Sequence, residues 1–180
     1  MKMMQLCNEF KDAIVALVVK RWSDRKPDGL GRTMLQKLVY FIQAKGVPVP
    51  FEYRLHYYGP FSQSLSESIE WLKVAGAIVD RATDESRSDF GPGANIEKVL
   101  EPHLGELHVH EAKVDQVIEA FANLGGERME LLSTTHFVQN AAMVENTKSR
   151  TIREVRRVKG DKFSEEEIEE AIKYLKEHGF

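Results

Sequence analysis

Three histidines in one short segment are the residues whose types first suggest chemistry. His103, His108 and His110 follow one another closely, and imidazole nitrogens are common zinc ligands. If this segment is a strand, His108 and His110 share one face, because side chains alternate along a strand. The spacing does not give the i, i+4 pair of a helical metal site, so it predicts weak adventitious binding and no cofactor.

Side chains that could act in catalysis are isolated in the sequence. Cys7 is the single cysteine, which excludes an internal disulfide and a cysteine-cluster metal site. We interpret it as a small core residue of the first helix. His136 lies on an apolar helical stripe and is typical of a hydrogen-bonded core histidine, and His56 has no nucleophile beside it. The sequence therefore predicts no catalytic residues.

One basic cluster lies in the C-terminal part of the chain. On a helix, Arg150, Arg153 and Arg157 would share a face and could contact phosphates. Acidic residues such as Glu154 and Asp161 interrupt the cluster, which favours a solvated face that pairs with neighbouring acids. Its members are Lys148, Arg150, Arg153, Arg156, Arg157 and Lys159.

The composition is that of an ordinary globular protein. The 180 residues are 42% hydrophobic and 29% charged, with a net charge of −3, which implies no strong attraction to nucleic acid or to an anionic membrane. The longest apolar run, Ala13 to Val19, is too short to span a bilayer, and no signal-peptide core follows Lys2. We expect a cytoplasmic protein without a membrane segment.

Apolar residues three and four positions apart predict a mainly helical chain. Two capping boxes are expected, Thr33 with Gln36 and Ser164 with Glu167, and Phe163 with Ile168 predicts a hydrophobic staple at the second. Either Ser62 or Ser64 is expected to cap the third helix. The helices are predicted over about 3–22, 33–45, 62–75, 111–124, 129–145 and 164–178.

Three short strands are predicted between these helices. Aromatic residues and partial alternation indicate a strand from Phe51 to Tyr58. Gly59 and Pro60 are expected to end it, with Pro60 setting the turn into the next helix. The segments 77–80 and 96–100 are predicted to pair as a hairpin with a long loop between them.

The sequences LQKLVYF and YRLHYYGPFSQSL resemble the Panacea domain, the SocA-like antitoxin-associated group, and its YwgA-like relatives. The similarity covers roughly 3–100. It implies a prokaryotic, helical, winged-helix-like scaffold that binds proteins, as antitoxins and proteolysis adaptors do, and it implies no catalytic residues.

The predicted fold class is mainly α with a small β-sheet (α+β). We expect a winged-helix-like N-terminal unit over 1–102. The segment 103–180 is expected to be a helical extension packed on it, or both segments form one single domain. Helices, a strand, another helix and a two-stranded wing give this layout, although about fifteen residues separate the two helices where a usual helix-turn-helix has three or four.

Two functions from different classes follow. The first is a non-enzymatic module that binds a protein partner, a toxin or a protease substrate, through the strand, the turn and the exposed side of the helix after them. Its aromatic content exceeds what one strand needs for packing. The candidate partner-binding residues are Arg54, His56, Tyr57, Tyr58 and Phe61.

The alternative is a winged-helix transcriptional regulator that binds DNA. Its recognition helix would be the one after Ser62, which carries Lys73 against Glu67 and Glu70 and is thus less cationic than a groove-bound helix normally is. The candidate nucleic-acid-binding residues are Gln63, Ser64, Arg150, Arg153 and Arg157. The sequence leaves the partner's identity and a homodimer open.

Overall fold

The structure is a computed structural model, and it describes residues 8–26, 29–84, 86–140 and 147–180. Its helices are α1 (Phe10–Arg25), α2 (Arg32–Ala44), α3 (Gln63–Val74), α4 (Ile96–Leu100), α5 (Leu104–Phe121), α6 (Gly126–Asn140), α7 (Lys148–Lys159) and α8 (Glu165–Glu177). Short 3₁₀ turns lie at Glu101–His103 and Gly160–Lys162. Its strands are β1 (Arg54–His56), β2 (Gly59–Phe61), β3 (Ile78–Asp80) and β4 (Phe90–Pro92).

The prediction of a mainly α protein with little β structure is confirmed. β1 pairs with β2 and β3 with β4, each as an antiparallel two-stranded sheet. The residues group into two compact units, 1–53 with 62–123 and 54–61 with 124–180. The division into domains at residue 102 stays a prediction. Among the described residues, no helix is both long and apolar enough to cross a membrane.

The core of the first unit forms around α1. Every residue from Ala13 to Val19 is buried, because this helix contacts α2, α3, α4, α5 and β4. An element that is apolar on all sides needs neighbours on all sides. The rings of Phe41 on α2 and Phe121 on α5 stack with centroids 4.4 Å apart, which joins the two helices at the centre of this core.

The first helix begins later than the sequence predicted. It starts at Phe10, where Glu9 and Asp12 form a capping box. Its C-terminal end extends to Arg25, three residues past the predicted end. The predicted start, residues 3 to 7, and the interpretation of Cys7 lie outside the described residues.

The predicted capping box of Thr33 and Gln36 is wrong. α2 begins at Arg32, and its N-cap is Gly31, which has no side chain to cap it. Gln36 is buried and serves another element: its Nε2 donates to the carbonyl of Ser62 at 2.9 Å, and its Oε1 accepts from the Ser62 N–H at 3.0 Å. A buried peptide group needs both partners. This pair of bonds fixes the start of α3, where the Ser62 hydroxyl caps the Leu65 N–H as predicted.

Two of the three predicted strands change, whereas the predicted strand 77–80 is present as β3. The predicted strand 51–58 contains β1 over 54–56, and Gly59 and Pro60 do not end it but belong to its partner β2. The predicted second strand of the other hairpin, 96–100, is helix α4. Ile96, Val99 and Leu100 are all buried, and this i, i+3, i+4 spacing is helical. β4 forms instead at 90–92, where the Phe90 N–H also donates to the Leu30 carbonyl.

The second unit consists of α6, α7, α8 and the β1–β2 hairpin. The three helices contact one another in pairs, and β2 packs on α6. α8 has the predicted capping box, in which Ser164 Oγ accepts from the Glu167 N–H and Glu167 Oε2 accepts from the Ser164 N–H. The helix ends before Gly179, whose φ of +74° is typical of a helix-terminating glycine. The predicted helix 129–145 corresponds to α6, and its last predicted residues, 141–145, lie outside the described residues.

Candidate interaction site

Two exposed tyrosines form the turn of the β1–β2 hairpin. Tyr57 is 73% and Tyr58 54% exposed, and their rings meet edge to face with centroids 4.8 Å apart. Arg54 pairs with Phe61, Leu55 with Pro60 and His56 with Gly59 across the hairpin. Large aromatic side chains exposed side by side are unusual on a protein surface and are enriched in protein interfaces.

Gly59 sets the shape of this turn. Its φ is +92°, while neither Tyr57 nor Tyr58 has a positive φ. This pattern matches a type I turn followed by a left-handed glycine rather than a two-residue type I′ turn, which needs positive φ at both turn positions. A Cβ at Gly59 would lie 2.9 Å from Ser133 Oγ and 3.1 Å from Thr134 Oγ1. The hairpin therefore rests on α6 at a point where only glycine fits.

A buried lysine also holds the turn in place. Lys159, the last residue of α7, donates a hydrogen bond to the Tyr57 carbonyl and a second one to Glu130 Oε1 at 2.8 Å. Lys162 Nζ lies 2.9 Å from the other oxygen of the same carboxylate. The side chains of Lys159 and Glu130 are only 5% and 4% exposed. We call residues 57, 130, 159 and 162 the lysine anchor.

The electrostatics of the lysine anchor keep Glu130 charged. Burial alone would raise the pKa of the Glu130 carboxyl, but hydrogen bonds from Lys159 and Lys162 outweigh it and hold that pKa below its usual range. The hydrogen bond to Glu130 in turn raises the pKa of Lys162. Each charge of the anchor thus has a charged partner, as buried ions require.

The two faces of the hairpin differ in character. Residues directly opposite each other in an antiparallel pair share a face, so Leu55 and Pro60 lie on one face, where Pro60 is buried. Arg54 and Phe61 lie on the other face, with His56 two positions along. The rings of His56 and Phe61 are 5.6 Å apart, while Arg54 and His56 are exposed. The structure thus places all five predicted partner-binding residues on one hairpin.

Comparison with known proteins identifies one relative along nearly the whole chain. No model of a known protein family matches the sequence. The uncharacterized protein YwgA of Bacillus subtilis (strain 168) is 23% identical over 162 residues, which are 90% of this chain and 94% of that protein. The chain is similar to YwgA. A match over 162 residues is longer than the region of roughly 3–100 over which the sequence motifs suggested a resemblance.

The residues predicted for DNA binding lie in different units. Gln63 and Ser64 begin α3 in the first unit and are exposed, whereas the three arginines belong to α7 in the second. Several basic side chains of α7 are paired with acids. The pairs are Lys148 with Glu169, Arg156 with Asp161, Arg157 with Glu154 and Lys159 with Glu130.

The histidine segment is helical, so the expected shared strand face is wrong. His103 precedes α5, and His108 and His110 lie within it, where residues two apart do not face the same way. His108 Nδ1 lies 2.8 Å from Glu111 Oε1. Within the described ranges, no group of three or more histidine, cysteine, aspartate or glutamate residues is arranged to hold a metal ion.

Sequence reasoning missed the lysine anchor. It treated Lys159 as one more solvated cation of the basic cluster, but this side chain is buried. One signal was present in the sequence: Glu130 lies between the apolar residues Met129 and Leu131. In the structure, residues 129 to 136 of this helix are all buried. A carboxylate in such a helix needs a cation, and the sequence does not say which of the many lysines and arginines supplies it.

A buried histidine on α6 gives a prediction of pH-dependent stability. His136 is only 8% exposed, and its ring lies 5.9 Å from that of Phe180. Burial lowers the pKa of His136 from 6.5 to about 4, so the unfolded chain binds a proton first as the pH falls. The free energy of unfolding is expected to fall between pH 6.5 and 4, by about 3 kcal/mol from this group.

Chemical denaturation of the wild type and of His136→Gln between pH 4 and 8 tests this prediction. The contribution of His136 is the difference between the free energies of unfolding of the two proteins at each pH. The wild type is expected to lose more stability than the variant as the pH falls through this window, and the two slopes are expected to be alike above pH 7. Parallel curves throughout would show that His136 does not titrate as described.

Proposed function

We propose that this protein is a non-enzymatic interaction module that binds a protein partner through the β1–β2 hairpin. The observation that carries the proposal is the pair of exposed tyrosines on a turn that the lysine anchor and Gly59 hold in place. Tyrosine contributes a large apolar area and a hydroxyl with few rotatable bonds, and it is among the residue types that dominate binding energy at interfaces.

The rigid support of the turn strengthens the proposal. A two-stranded hairpin is at best marginally stable alone. Here a buried ion pair and a tightly seated glycine hold it, although neither tyrosine ring is itself buried. Preorganising exposed aromatic groups reduces the entropy lost on binding. This arrangement therefore fits a binding surface better than a turn that only connects two strands.

The kind of module is inferred from the resemblance to the Panacea domain. That resemblance supports an antitoxin or a proteolysis adaptor, with a toxin or a protease substrate as the partner. The first unit has α1, α2 and α3 followed by the β3–β4 hairpin, which is compatible with the winged-helix-like scaffold that the resemblance implies. The similarity to YwgA adds no activity to this inference.

A DNA-binding regulator has less support. Most of the positive charge of α7 is paired with carboxylates, so fewer cations are left to replace counterions on a phosphate backbone. The regulator also predicts an affinity that falls steeply with salt and is lost when Arg153 and Arg157 are replaced.

The test is an affinity pull-down of the tagged protein from its native lysate, with and without nuclease, by the wild type and by a Tyr57→Ala, Tyr58→Ala variant. A stoichiometric protein that survives nuclease is expected on the wild type, and its affinity for the variant is expected to be at least about tenfold weaker, because hot-spot tyrosines typically contribute more than about 1 kcal/mol each.

The matched control is Val109→Ala, which trims a 70% exposed apolar side chain on α5. It is expected to leave capture unchanged. Equal capture by the tyrosine variant and the wild type contradicts the proposal, and enrichment of defined DNA without a protein partner favours the regulator.

A further inference from the structure

The two edges of the β1–β2 sheet are not equivalent. β2 packs on α6, with Gly59 and Pro60 buried, and Pro60 has no N–H to offer to another strand. β1 is exposed at Arg54 and His56 and half-buried at Leu55. In the part of the chain that the structure describes, no third strand is bonded to this sheet. β1 is thus the edge that can accept another strand.

We propose that β1 accepts an extended segment of the protein partner as a third strand, and that this segment carries a carboxylate opposite Arg54. The inference rests on the proposed function and specifies the chemistry of the partner. An open strand edge is a template for an added strand: backbone hydrogen bonds give affinity, and alternate side chains give specificity.

The carboxylate follows from the charge on the outward face. Arg54 is exposed and has no ion-pair partner among the described residues. The carboxylate beneath the turn, Glu130, is already shared by Lys159 and Lys162. Opposite charges on directly facing strand residues stabilise a pair, whereas like charges destabilise it. An added strand with a glutamate or aspartate at that position is therefore favoured over one with a lysine.

The neighbouring side chains define the rest of the segment. His56 lies on the same face as Arg54, two residues toward the turn, and its ring is near that of Phe61. Tyr57 and Tyr58 follow at the tip. The segment is thus expected to carry the carboxylate at its position beside Arg54 and apolar or aromatic groups toward the turn.

The test uses synthetic peptides and NMR titration of the full chain labelled with ¹⁵N. The probe is acetyl-Tyr-Val-Glu-Val-Thr-amide, whose tyrosine lies toward the turn when the peptide pairs antiparallel with β1. It is compared with acetyl-Tyr-Val-Lys-Val-Thr-amide and with a Glu peptide whose two valines are N-methylated. The Glu peptide is expected to shift the amide signals of Arg54–His56 and to bind at least about fivefold more tightly than either comparison peptide. Arg54→Glu is expected to reverse the preference between the Glu and Lys peptides.

Three results overturn the inference: no shift of the β1 amides at millimolar peptide, equal affinity for the Glu and Lys peptides, or equal affinity after N-methylation. Capture of a protein that depends on Tyr57 and Tyr58 but is unchanged in Arg54→Glu also overturns it, while leaving the interaction function standing. Failure of the tyrosine-dependent capture itself is the separate failure of the proposed function.

Discussion

Replacing Glu130 with glutamine is expected to destabilise the second unit by about 3 to 5 kcal/mol, because it leaves the Lys159 ammonium buried without a counter-charge. The Lys159 side chain is 5% exposed, and its ammonium also donates a hydrogen bond to the Tyr57 carbonyl. The hairpin is therefore expected to loosen together with the ends of α6 and α7.

Hydrogen exchange suits this measurement, because a chain with two compact units need not unfold in a single step. Faster exchange of the amides of β1 and β2 in Glu130→Gln is the expected result. Lys148→Ala is the control: it removes an exposed pair with Glu169, which is expected to contribute less than about 1 kcal/mol. A loss below 1 kcal/mol in Glu130→Gln would contradict the role given to the lysine anchor.

A second variant separates charge from packing. Glu130→Gln combined with Lys159→Met removes both buried charges, so no ammonium group is left buried at position 159 without a counter-charge. We expect the double variant to regain much of the lost stability. It also loses the hydrogen bond to the Tyr57 carbonyl, so the exchange of the turn amides is expected to stay faster than in the wild type.

Gly59→Ala is the other change with a large expected effect. A non-glycine residue at φ +92° is strained by about 1 to 3 kcal/mol. The new methyl group also meets Ser133 Oγ and Thr134 Oγ1 at 2.9 and 3.1 Å, and such overpacking adds about 1 to 3 kcal/mol. The hairpin is expected to lift off α6, with a total loss of about 2 to 6 kcal/mol.

Gly105→Ala is the matched control for this substitution. Gly105 lies on α5, has no positive φ, and a Cβ there meets nothing within 4 Å. Alanine at this position is expected to be neutral or stabilising by up to about 1 kcal/mol. Adding Ser133→Ala to Gly59→Ala relieves one of the two close contacts and should recover part of the loss, measured by denaturation. Equal stability of Gly59→Ala and Gly105→Ala would show that the seat of the hairpin tolerates a side chain.

The elements that sequence predicted well are those whose determinants are local. α3 is capped by Ser62 and buries Leu65, Ile69 and Leu72, as expected, and α8 has its capping box. In both cases the cap and the apolar stripe lie within a few residues of one another, so the pattern alone contains the information. The five partner-binding candidates were likewise close in sequence, and they lie on one hairpin.

The determinants that sequence missed are long-range. Gln36 matched a local capping box, but its side chain instead binds the backbone of Ser62. The Ser62 peptide groups are buried and need hydrogen-bond partners, and Ser62 is 26 residues away in sequence. The second hairpin strand was placed at Ile96, where the apolar residues serve a helix, since β4 is fixed by the Leu30 carbonyl. Lys159 was indistinguishable from its basic neighbours until Glu130 lay beside it.

The position of the lysine anchor in the sequence also determines when the hairpin gains its support during synthesis. Tyr57 and Lys159 are 102 positions apart, and a ribosome adds about 5 to 20 residues per second. The hairpin is therefore synthesised about 5 to 20 s before the lysine that fastens its turn. During that interval the hairpin that carries Tyr57 and Tyr58 lacks the hydrogen bond from Lys159. The proposed binding surface is therefore among the last parts of the protein to be completed.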